Sequence, residues 1–256
     1  MKKYIEIFKY SLKTKIRFLT DYVFSMMAFF VHIFVFNELW DYILQGKLIE
    51  GYSKSQLIWY VIIGEFIVYS MSSNYKKIAE MVRNGEISNL LLKPISLTAY
   101  WFAEEAGELV KAFVNVIFAV LLGIFMAGPI EISILSIVFS VMSASISIFM
   151  CMSLQILVGT IAFHTEENRS IWLIVQKIMF FLLFTPLEFY PKIIQKILSV
   201  LPTTYIIYSP AKIFVKFEII EAIILILLQL VSALIIIAGI VFATKKGVKK
   251  INVNGG

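Results

Sequence analysis

Charged residues are scarce in this sequence. Asp, Glu, Lys and Arg make up 16% of the 256 residues, whereas 60% of the residues are hydrophobic. A soluble globular protein carries about 25% charged and about 45–50% apolar residues, so this chain has too little polar surface to cover a core in water. The scarcity of charge excludes a soluble globular protein and indicates that the bilayer is the solvent.

Cysteine is rarer still, and a nucleotide-binding loop is absent. The single cysteine, Cys151, excludes an intrachain disulfide framework and a metal site built from paired thiolates. A Walker loop requires Gly-x-x-x-x-Gly-Lys-Ser/Thr to hold phosphates, but the one Gly-Lys pair, Gly46-Lys47, is followed by leucine. We therefore expect this chain to bind no cofactor and to hydrolyse no ATP by that chemistry. A pump built from it would take its energy from another subunit or from an ion gradient.

Six hydrophobic runs are present, and a transmembrane helix needs about 20 apolar residues to cross a core of about 30 Å. The fourth run has no charged residue over 32 positions and contains seven serines, which predicts one long, tilted or protruding helix. We expect its serines to serve helix packing; a hydroxyl-lined substrate path is the alternative. The chain is predicted to be an all-α polytopic membrane protein in a single domain. The runs are residues 21–44, 57–73, 112–130, 132–163, 171–187 and 222–243.

Lysine and arginine are distributed unevenly between the connections. With the amino terminus inside, 15 of the 23 basic residues lie on the cytoplasmic side, six lie outside and two lie within spans. Cytoplasmic loops carry such an excess, so we expect both termini in the cytoplasm. The same asymmetry, rather than nucleic-acid binding, explains the net charge of +6. Lys and Ile are abundant and there are three arginines, a composition that indicates a bacterial protein. We therefore expect this chain in a bacterial cell membrane.

Residues 1–20 are predicted to form an amphipathic helix at the cytoplasmic membrane interface. Polar residues recur every three or four positions from Lys2 to Arg17, and apolar residues do so on another face from Ile5 to Leu19. Such a helix places its apolar face in the acyl boundary and its lysines near anionic lipid headgroups. The alternative is a basic flank that only sets orientation. No small-residue cleavage site follows, so we do not expect a cleavable signal peptide.

The cytoplasmic connection 74–97 is predicted to contain two short helices. Tyr75–Arg83 is amphipathic and ends at Asn84-Gly85, residues that tolerate the left-handed conformation at a helix end. Glu86–Leu92 follows and ends before Pro94, because proline disfavours helical geometry in the residue before it. A short exposed helix at this position would form a docking surface.

The extracellular connection 185–217 contains four of the six prolines. Between Lys192 and Leu201, polar residues alternate with apolar ones at helical spacing, which predicts a short amphipathic helix at the outer interface or a re-entrant pair. Irregular backbone at membrane depth is tolerated only where protein or water covers it, so we expect this connection to shape an outward gate. A plain apolar surface loop is the alternative. The selected gate residues are Pro186, Glu188, Phe189, Pro191 and Pro202.

Three titratable side chains, His32, Glu65 and Lys177, lie inside the hydrophobic runs. An ionised group costs about 2.5–3.5 kcal/mol at the centre of a membrane helix, so each needs a partner or a role. Glu65 and Lys177 would form an internal pair, or Glu65 would meet a cationic substrate. Alternatively, Lys177 extends to an interface and Glu65 hydrogen-bonds a neighbouring helix. We select the three residues as candidates for a substrate path.

Glu104, Glu105 and Glu108 precede the third run. We expect them on an amphipathic approach helix in which Lys111, three residues after Glu108, pairs with it. A catalytic pair of carboxylates is the poorer alternative, because no nucleophile or metal ligand accompanies them.

The order of these elements resembles that of permease subunits of type-two ATP-binding-cassette exporters. The resemblance covers nearly the whole chain: six spans follow an amphipathic amino-terminal helix, and two short motif regions stand at matching places between the spans. After span two comes Arg83-Asn84-Gly85-Glu86-Ile87, then Leu91-Leu92-Lys93-Pro94. After span five comes Pro186-Leu187-Glu188-Phe189-Tyr190-Pro191, and Leu201-Pro202 follows.

The resemblance implies a half-transporter that extrudes its substrate by ATP-driven alternating access. It implies two cytoplasmic ATPase subunits that hold ATP and Mg, and a second permease that is another copy or a paralogue. The substrate would be a drug, antibiotic, peptide or lipid. The alternatives are an ion-coupled carrier that uses Glu65 and an intramembrane enzyme or assembly factor. By resemblance, the residues that contact the ATPase are Arg83, Asn84, Gly85, Glu86, Lys93 and Pro94.

Overall fold

The structure is a bundle of helices. The computed structural model describes residues 2–17, 20–165 and 168–254, and it contains no β-strand in those ranges, which confirms the all-α polytopic fold. The helices are α1 (Lys2–Arg17), α2 (Thr20–Leu44), α3 (Lys54–Tyr69), α4 (Asn74–Arg83), α5 (Glu86–Leu91), α6 (Leu97–Glu105), α7 (Leu109–Leu122), α8 (Ile134–Ile161), α9 (Arg169–Phe184), α10 (Lys192–Val200), α11 (Thr204–Val215) and α12 (Ile219–Asn254).

Within the part of the chain that the structure describes, five helical stretches are long and apolar enough to cross a membrane. The second of them joins α3 to α4, and the third joins α6 to α7 through a 3-10 turn, Ala106–Glu108. The fourth is α8, a single helix of 28 residues, as the uncharged run predicts. The stretches are Val23–Leu44, Lys54–Arg83, Leu97–Ala127, Ile134–Ile161 and Ile219–Lys250. We call the end of the bundle that carries α5 the α5 end, and the opposite end the α10 end.

The remaining predicted crossing is α9, although it has only 16 residues. At the α5 end, the side-chain amide of Asn168 donates to the carbonyl oxygen of Tyr75 at 3.2 Å. Toward the α10 end, the hydroxyl of Tyr60 donates to the carbonyl oxygen of Leu182 at 2.8 Å. A helix of 16 residues rises about 24 Å, so α9 is a short crossing for a core of about 30 Å.

α10 and α11 form a re-entrant pair, which is one of the two arrangements expected for residues 185–217. Their axes are bent by 112°, and the chain between them turns inside the bundle. α11 returns to the α10 end, because the Gln56 side chain at the start of α3 donates to the carbonyl oxygen of Val215 at 2.8 Å. The pair enters and leaves at the same end and is not a crossing.

α11 occupies the centre of the bundle. Every residue from Thr204 to Ile213 is buried, and the helix packs against α3, α8, α9 and α12. At its start, the hydroxyl of Thr204 donates to the carbonyl oxygen of Leu198 at 2.5 Å. The backbone at this turn is therefore covered by protein, as membrane depth requires.

Gln229 of α12 joins three helices at this depth. Its side-chain amide donates to the carbonyl oxygen of Tyr205 and to the hydroxyl of Ser147, both at 2.9 Å. The hydroxyl of Ser143 donates back to the Gln229 side-chain oxygen at 2.8 Å. Ser143 and Ser147 thus serve helix packing, the role expected for the serines of the fourth run.

α1 lies against α6 and the 3-10 turn. The hydroxyl of Ser11 donates to the carbonyl oxygen of Glu104 at 2.7 Å, and a Cβ on Gly107 would lie 2.2 Å from the same hydroxyl. Ile5 and Ile16 of the predicted apolar stripe remain 48% and 47% exposed. Ser11 therefore lies in the protein contact, and the exposed Ile5 and Ile16 are left for lipid. Leu19, the last residue of that stripe, lies outside the described residues.

We predict that Gln229→Leu lowers the free energy of unfolding by about 2 kcal/mol, because interhelical hydrogen bonds in membranes average about 0.6 kcal/mol each and the four bonds of this side chain, two with Ser143, one with Ser147 and one with Tyr205, are lost. Titration with sodium dodecyl sulfate in mixed micelles measures the change. The control is Ser145→Ala: the hydroxyl of Ser145 is exposed and bonds only the carbonyl oxygen of Val141 in its own helix. Equal effects of the two substitutions would contradict the role of Gln229.

Candidate functional site

The six residues selected for ATPase contact lie together on an exposed surface at the α5 end. α4 ends at Arg83, and Gly85 has a φ of +72°, in the left-handed region that favours glycine. No atom lies within 4 Å of where a Cβ on Gly85 would stand, so the turn projects from the bundle. In α5, Ile87 and Leu90 are buried, whereas Glu86, Ser88 and Asn89 are exposed. The exposed residues are Arg83, Asn84, Gly85, Glu86, Lys93 and Pro94. Together with Leu92 they form what we call the α4–α5 surface.

Leu92 is the residue of this surface that sequence analysis did not select. Its side chain is 86% exposed, between the buried positions of α5 and the exposed Lys93-Pro94 pair. An apolar side chain surrounded by charged ones is a candidate for burial in a partner. The signal available in the sequence was its place off the apolar face formed by Ile87 and Leu90.

The α4–α5 surface is attached firmly to α8. Ile78 of α4 lies directly on Gly159, where a Cβ would be 2.7 Å from the Cβ of Ile78. The ring of Tyr75 stacks on Trp172 with centroids 5.1 Å apart. A larger residue at position 159 would push α4 away from α8. Glycine at this position therefore sets the distance between the α4–α5 surface and α8.

α1 holds the other side of the surface. The ammonium group of Lys3 donates to the carbonyl oxygen of Pro94, and the backbone N–H of Ser96 donates to the hydroxyl of Tyr4 at 2.9 Å. Any displacement of the α4–α5 surface would therefore also displace α1 and α8.

Three carboxylates behind the surface bind it to the neighbouring helices. Glu105 is 1% exposed and accepts hydrogen bonds from the side chains of Ser72 and Asn74. Glu104 pairs with Lys77. Glu108 pairs with Lys15 of α1, and also with Lys111 at 2.7 Å, as the spacing predicts. Because every carboxylate is engaged by donors or cations, the cluster is a structural junction and not an acid–base pair.

His32 and Glu65 form a pair in the middle of the bundle. Nδ1 of His32 on α2 lies 2.9 Å from Oε1 of Glu65 on α3, and the Glu65 side chain is 1% exposed. Of the two arrangements considered from the sequence, the one in which Glu65 hydrogen-bonds a neighbouring helix is observed, and the Glu65–Lys177 pair is not. A different pair of helices, α3 and α9, approaches closely at Gly64: a Cβ there would lie 2.6 Å from a methyl carbon of Leu183 on α9.

Lys177 instead lines a cavity of about 520 Å³ between α2 and α9. Its ammonium group lies 5.5 Å from the centroid of the Phe180 ring. A second cavity of about 320 Å³ contains Glu65 and Tyr69. His32 and Phe180 line both, so the two adjoin. All three residues selected for a substrate path thus border this cavity pair.

At the α10 end, Glu188 is the centre of a polar cluster. Its Oε1 accepts hydrogen bonds from the hydroxyls of Tyr52 at 3.1 Å and Tyr208 at 3.0 Å. It also pairs with Lys212 of α11, whose ammonium group lies 3.6 Å from a carboxylate oxygen of Glu221 on α12. We call these five residues the outer cluster; they connect the α2–α3 loop, the chain after α9, α11 and α12.

Electrostatics favour the ionised form of Glu188. Burial would raise its pKa, but the hydrogen bond and charge of Lys212 outweigh burial, and the pKa of Glu188 lies below its usual value of 4.5. Burial also raises the pKa of Tyr52, helped by the neighbouring Glu188 charge, so its hydroxyl stays a donor. The outer cluster is thus an ion pair with neutral donors around it.

The other selected gate residues lie in the same connection as Glu188, between α9 and α11. The ring of Phe189 contacts Trp40 and Tyr52 edge to face, with centroids 5.8 and 5.7 Å apart. Pro186 precedes the 3-10 turn Leu187–Phe189, Pro191 precedes α10, and Pro202 lies in the bend before α11. Sequence analysis missed Tyr52 and Lys212 because they are distant in the chain, and no local pattern marks them as partners of Glu188.

Comparison with known proteins identifies one family. The sequence model of the family described as ABC-2 family transporter protein matches residues 22–255. No curated protein matches the chain.

We expect low pH to destabilise the outer cluster. The ionised form of Glu188 stabilises the fold above the ordinary carboxyl pKa of 4.5, and this contribution is lost as pH falls below 4.5 and through the lowered value. We predict that the melting temperature falls more steeply in this range for the unmodified chain than for Glu188→Gln, which should also cost about 1–2 kcal/mol at neutral pH. Differential scanning fluorimetry in detergent measures both. Parallel acid profiles would contradict the prediction, and Glu131→Gln, an exposed carboxyl change, is the control.

Proposed function

The chain belongs to the ABC-2 family of transporter proteins, and from this membership we propose that it is the membrane-spanning permease of an ATP-driven exporter. As an ABC-2 permease it is a transport component that works with ATP-binding-cassette ATPase subunits. We propose two such subunits, which bind ATP and Mg, and a second permease that is another copy or a paralogue. The cargo is an amphipathic or hydrophobic molecule such as a drug, antibiotic, peptide or lipid.

The α4–α5 surface is the observation that carries the proposal. An ATPase needs a projecting element to push against, and the six selected residues with Leu92 project from the bundle while α4 lies on α8. Charged residues would set orientation and Leu92 would supply buried contact, because partner surfaces combine a few anchors with a polar rim. The surface would transmit ATP-driven movement into α8 and α1.

The cavity pair supports the transport path. The cavity pair lies at mid-bundle between α2, α3 and α9. The outer cluster lies on the α10 side of the cavity pair and would close the path at that end. In the proposed cycle, ATP binding moves the α4–α5 surface, the re-entrant pair shifts, and cargo leaves at the α10 end.

Orientation follows from charge. The α5 end is cytoplasmic in this proposal, since the basic excess of the sequence lies there. Both termini are then inside and the outer cluster faces the exterior of a bacterial cell. α1 lies along the cytoplasmic leaflet, with its lysines near anionic lipids.

Ion coupling is the second candidate, and the His32–Glu65 contact favours it because a titratable pair inside a membrane bundle is a common element of proton-coupled carriers. The two functions differ in energy source. An ATP-driven exporter continues to transport after a protonophore removes the ion gradient, whereas a carrier stops while ATP remains available.

The proposed docking is tested by charge reversal. We predict that Arg83→Glu combined with Glu86→Arg abolishes co-purification of an ATPase carrying a Walker loop, because both side chains would meet like charges. Leu92→Asp should weaken it at least tenfold by removing an apolar anchor. Affinity purification from native membranes with mass spectrometry, followed by measurement of ATPase activity, gives the readout.

The matched control is a double reversal at the opposite end, Lys47→Glu with Glu131→Lys, both exposed. It should leave ATPase association unchanged. An unmodified chain that never co-purifies with an ATPase, or a reversed α4–α5 surface that associates and transports normally, would overturn the assignment.

A further inference from the structure

We propose that the cavity between α2 and α9 binds an amphipathic anion, a molecule with an apolar body and one carboxylate, phosphate or sulfonate group. This inference rests on the proposed function in treating the bound molecule as cargo, and it names the chemical class of that cargo. The contacts around Lys177 carry it.

Lys177 is an exposed basic residue at membrane depth, and among the described residues it has no acidic partner. It stands eight residues after the start of α9, about 12 Å along the helix. In the ranges that the structure describes, no carboxylate lies within ion-pair distance of its ammonium group, and its recorded contact is the face of the Phe180 ring. A ring face compensates only part of the cost of a charge removed from water. An anion beside Lys177 would compensate the remaining part of this free-energy cost.

The surroundings of Lys177 fit the apolar body of such a molecule. On the same face of α9, Ile174 and Phe181 are 62% and 63% exposed. Phe184 and Tyr190 line the cavity toward the α10 end. Its volume of about 520 Å³ falls in the range of about 300–1,000 Å³ that holds a drug-sized ligand.

Glu65, the second charged group selected for the substrate path, does not compete with Lys177 for the cargo. Glu65 is 1% exposed, one of its carboxylate oxygens is engaged by His32, and it lines the smaller cavity and not the larger one. A cation entering the larger cavity would meet Lys177 first and be repelled. The charge pattern therefore selects anions over the cationic substrate that the sequence had suggested for Glu65.

The test is photo-crosslinking in phosphatidylcholine nanodiscs. The probe is an alkyl sulfonate carrying a diazirine, and the matched neutral probe is the corresponding alkyl alcohol. Peptide mass spectrometry locates the labelled residues. We expect the sulfonate to label the cavity residues of α2 and α9 about tenfold more than the alcohol, a ratio typical of one charge-assisted hydrogen bond.

Substitutions at Lys177 separate charge from shape. Lys177→Gln should reduce the sulfonate-to-alcohol ratio to about one, and Lys177→Arg should keep it. Lys196→Gln removes the same charge from an exposed position of α10 and should leave the ratio unchanged. Equal labelling by the two probes in the unmodified chain would overturn the proposal without any variant. An unchanged ratio in a folded Lys177→Gln protein would also overturn it.

Two sources could supply the anion, and competition distinguishes them. Phosphatidylglycerol added to the nanodisc displaces the sulfonate probe if the occupant is a membrane lipid, and decane sulfonate added in solution displaces it if the occupant is a soluble amphiphile. Displacement by neither would contradict the proposal. ATPase association is measured separately: if it is intact and probe selectivity is absent, the ligand class alone is wrong. If selectivity is present and association is absent, the ATP-driven function alone is wrong.

Discussion

The structure depends on the requirement that the turn of a re-entrant helix pair be covered inside a membrane bundle. Backbone N–H and C=O groups at that depth find no water, so protein must surround them. The turn between α10 and α11 meets this requirement because α11 is enclosed by α3, α8, α9 and α12. At the turn, Gln229 donates to the carbonyl oxygen of Tyr205, and the hydroxyl of Thr204 donates to that of Leu198. Four helices are thereby positioned around one short one.

α8 connects this centre to the opposite end. Midway along its length it carries Ser143 and Ser147, which bond Gln229 beside the re-entrant turn; near its carboxyl end it carries Gly159, on which Ile78 of α4 lies. A 28-residue helix is stiff over this distance. Displacement of the α4–α5 surface would therefore reach the re-entrant pair through one continuous element. The outer cluster around Glu188 resists that displacement, because it joins α11 to α12 and to the chain after α9.

Local patterns in the sequence predicted the elements well, and distant partners poorly. The helices on either side of Asn84-Gly85 were found within a residue or two of their observed bounds, since the cap and the following proline act locally. The Glu108–Lys111 pair followed from helical spacing. By contrast, Glu65 bonds His32 instead of Lys177, and Glu188 bonds Lys212 and Tyr52. These contacts depend on which helices are neighbours, a property of packing that one chain's periodicity does not contain. The connection after α9 left two arrangements open, an interfacial helix and a re-entrant pair, until the contacts of α11 were known.

The central claim is that ATP acts at the α5 end and moves the α10 end. Double electron–electron resonance tests it directly. Spin labels replace Lys196 of α10 and Lys47 of the α2–α3 loop, both exposed, in a Cys151→Ser background that removes the one native thiol. The account predicts that the distance distribution between the labels shifts when ATP is added to the complex of the chain with its ATPase subunits, and that it returns when the nucleotide is removed. A distribution that stays the same while the complex hydrolyses ATP would contradict the account.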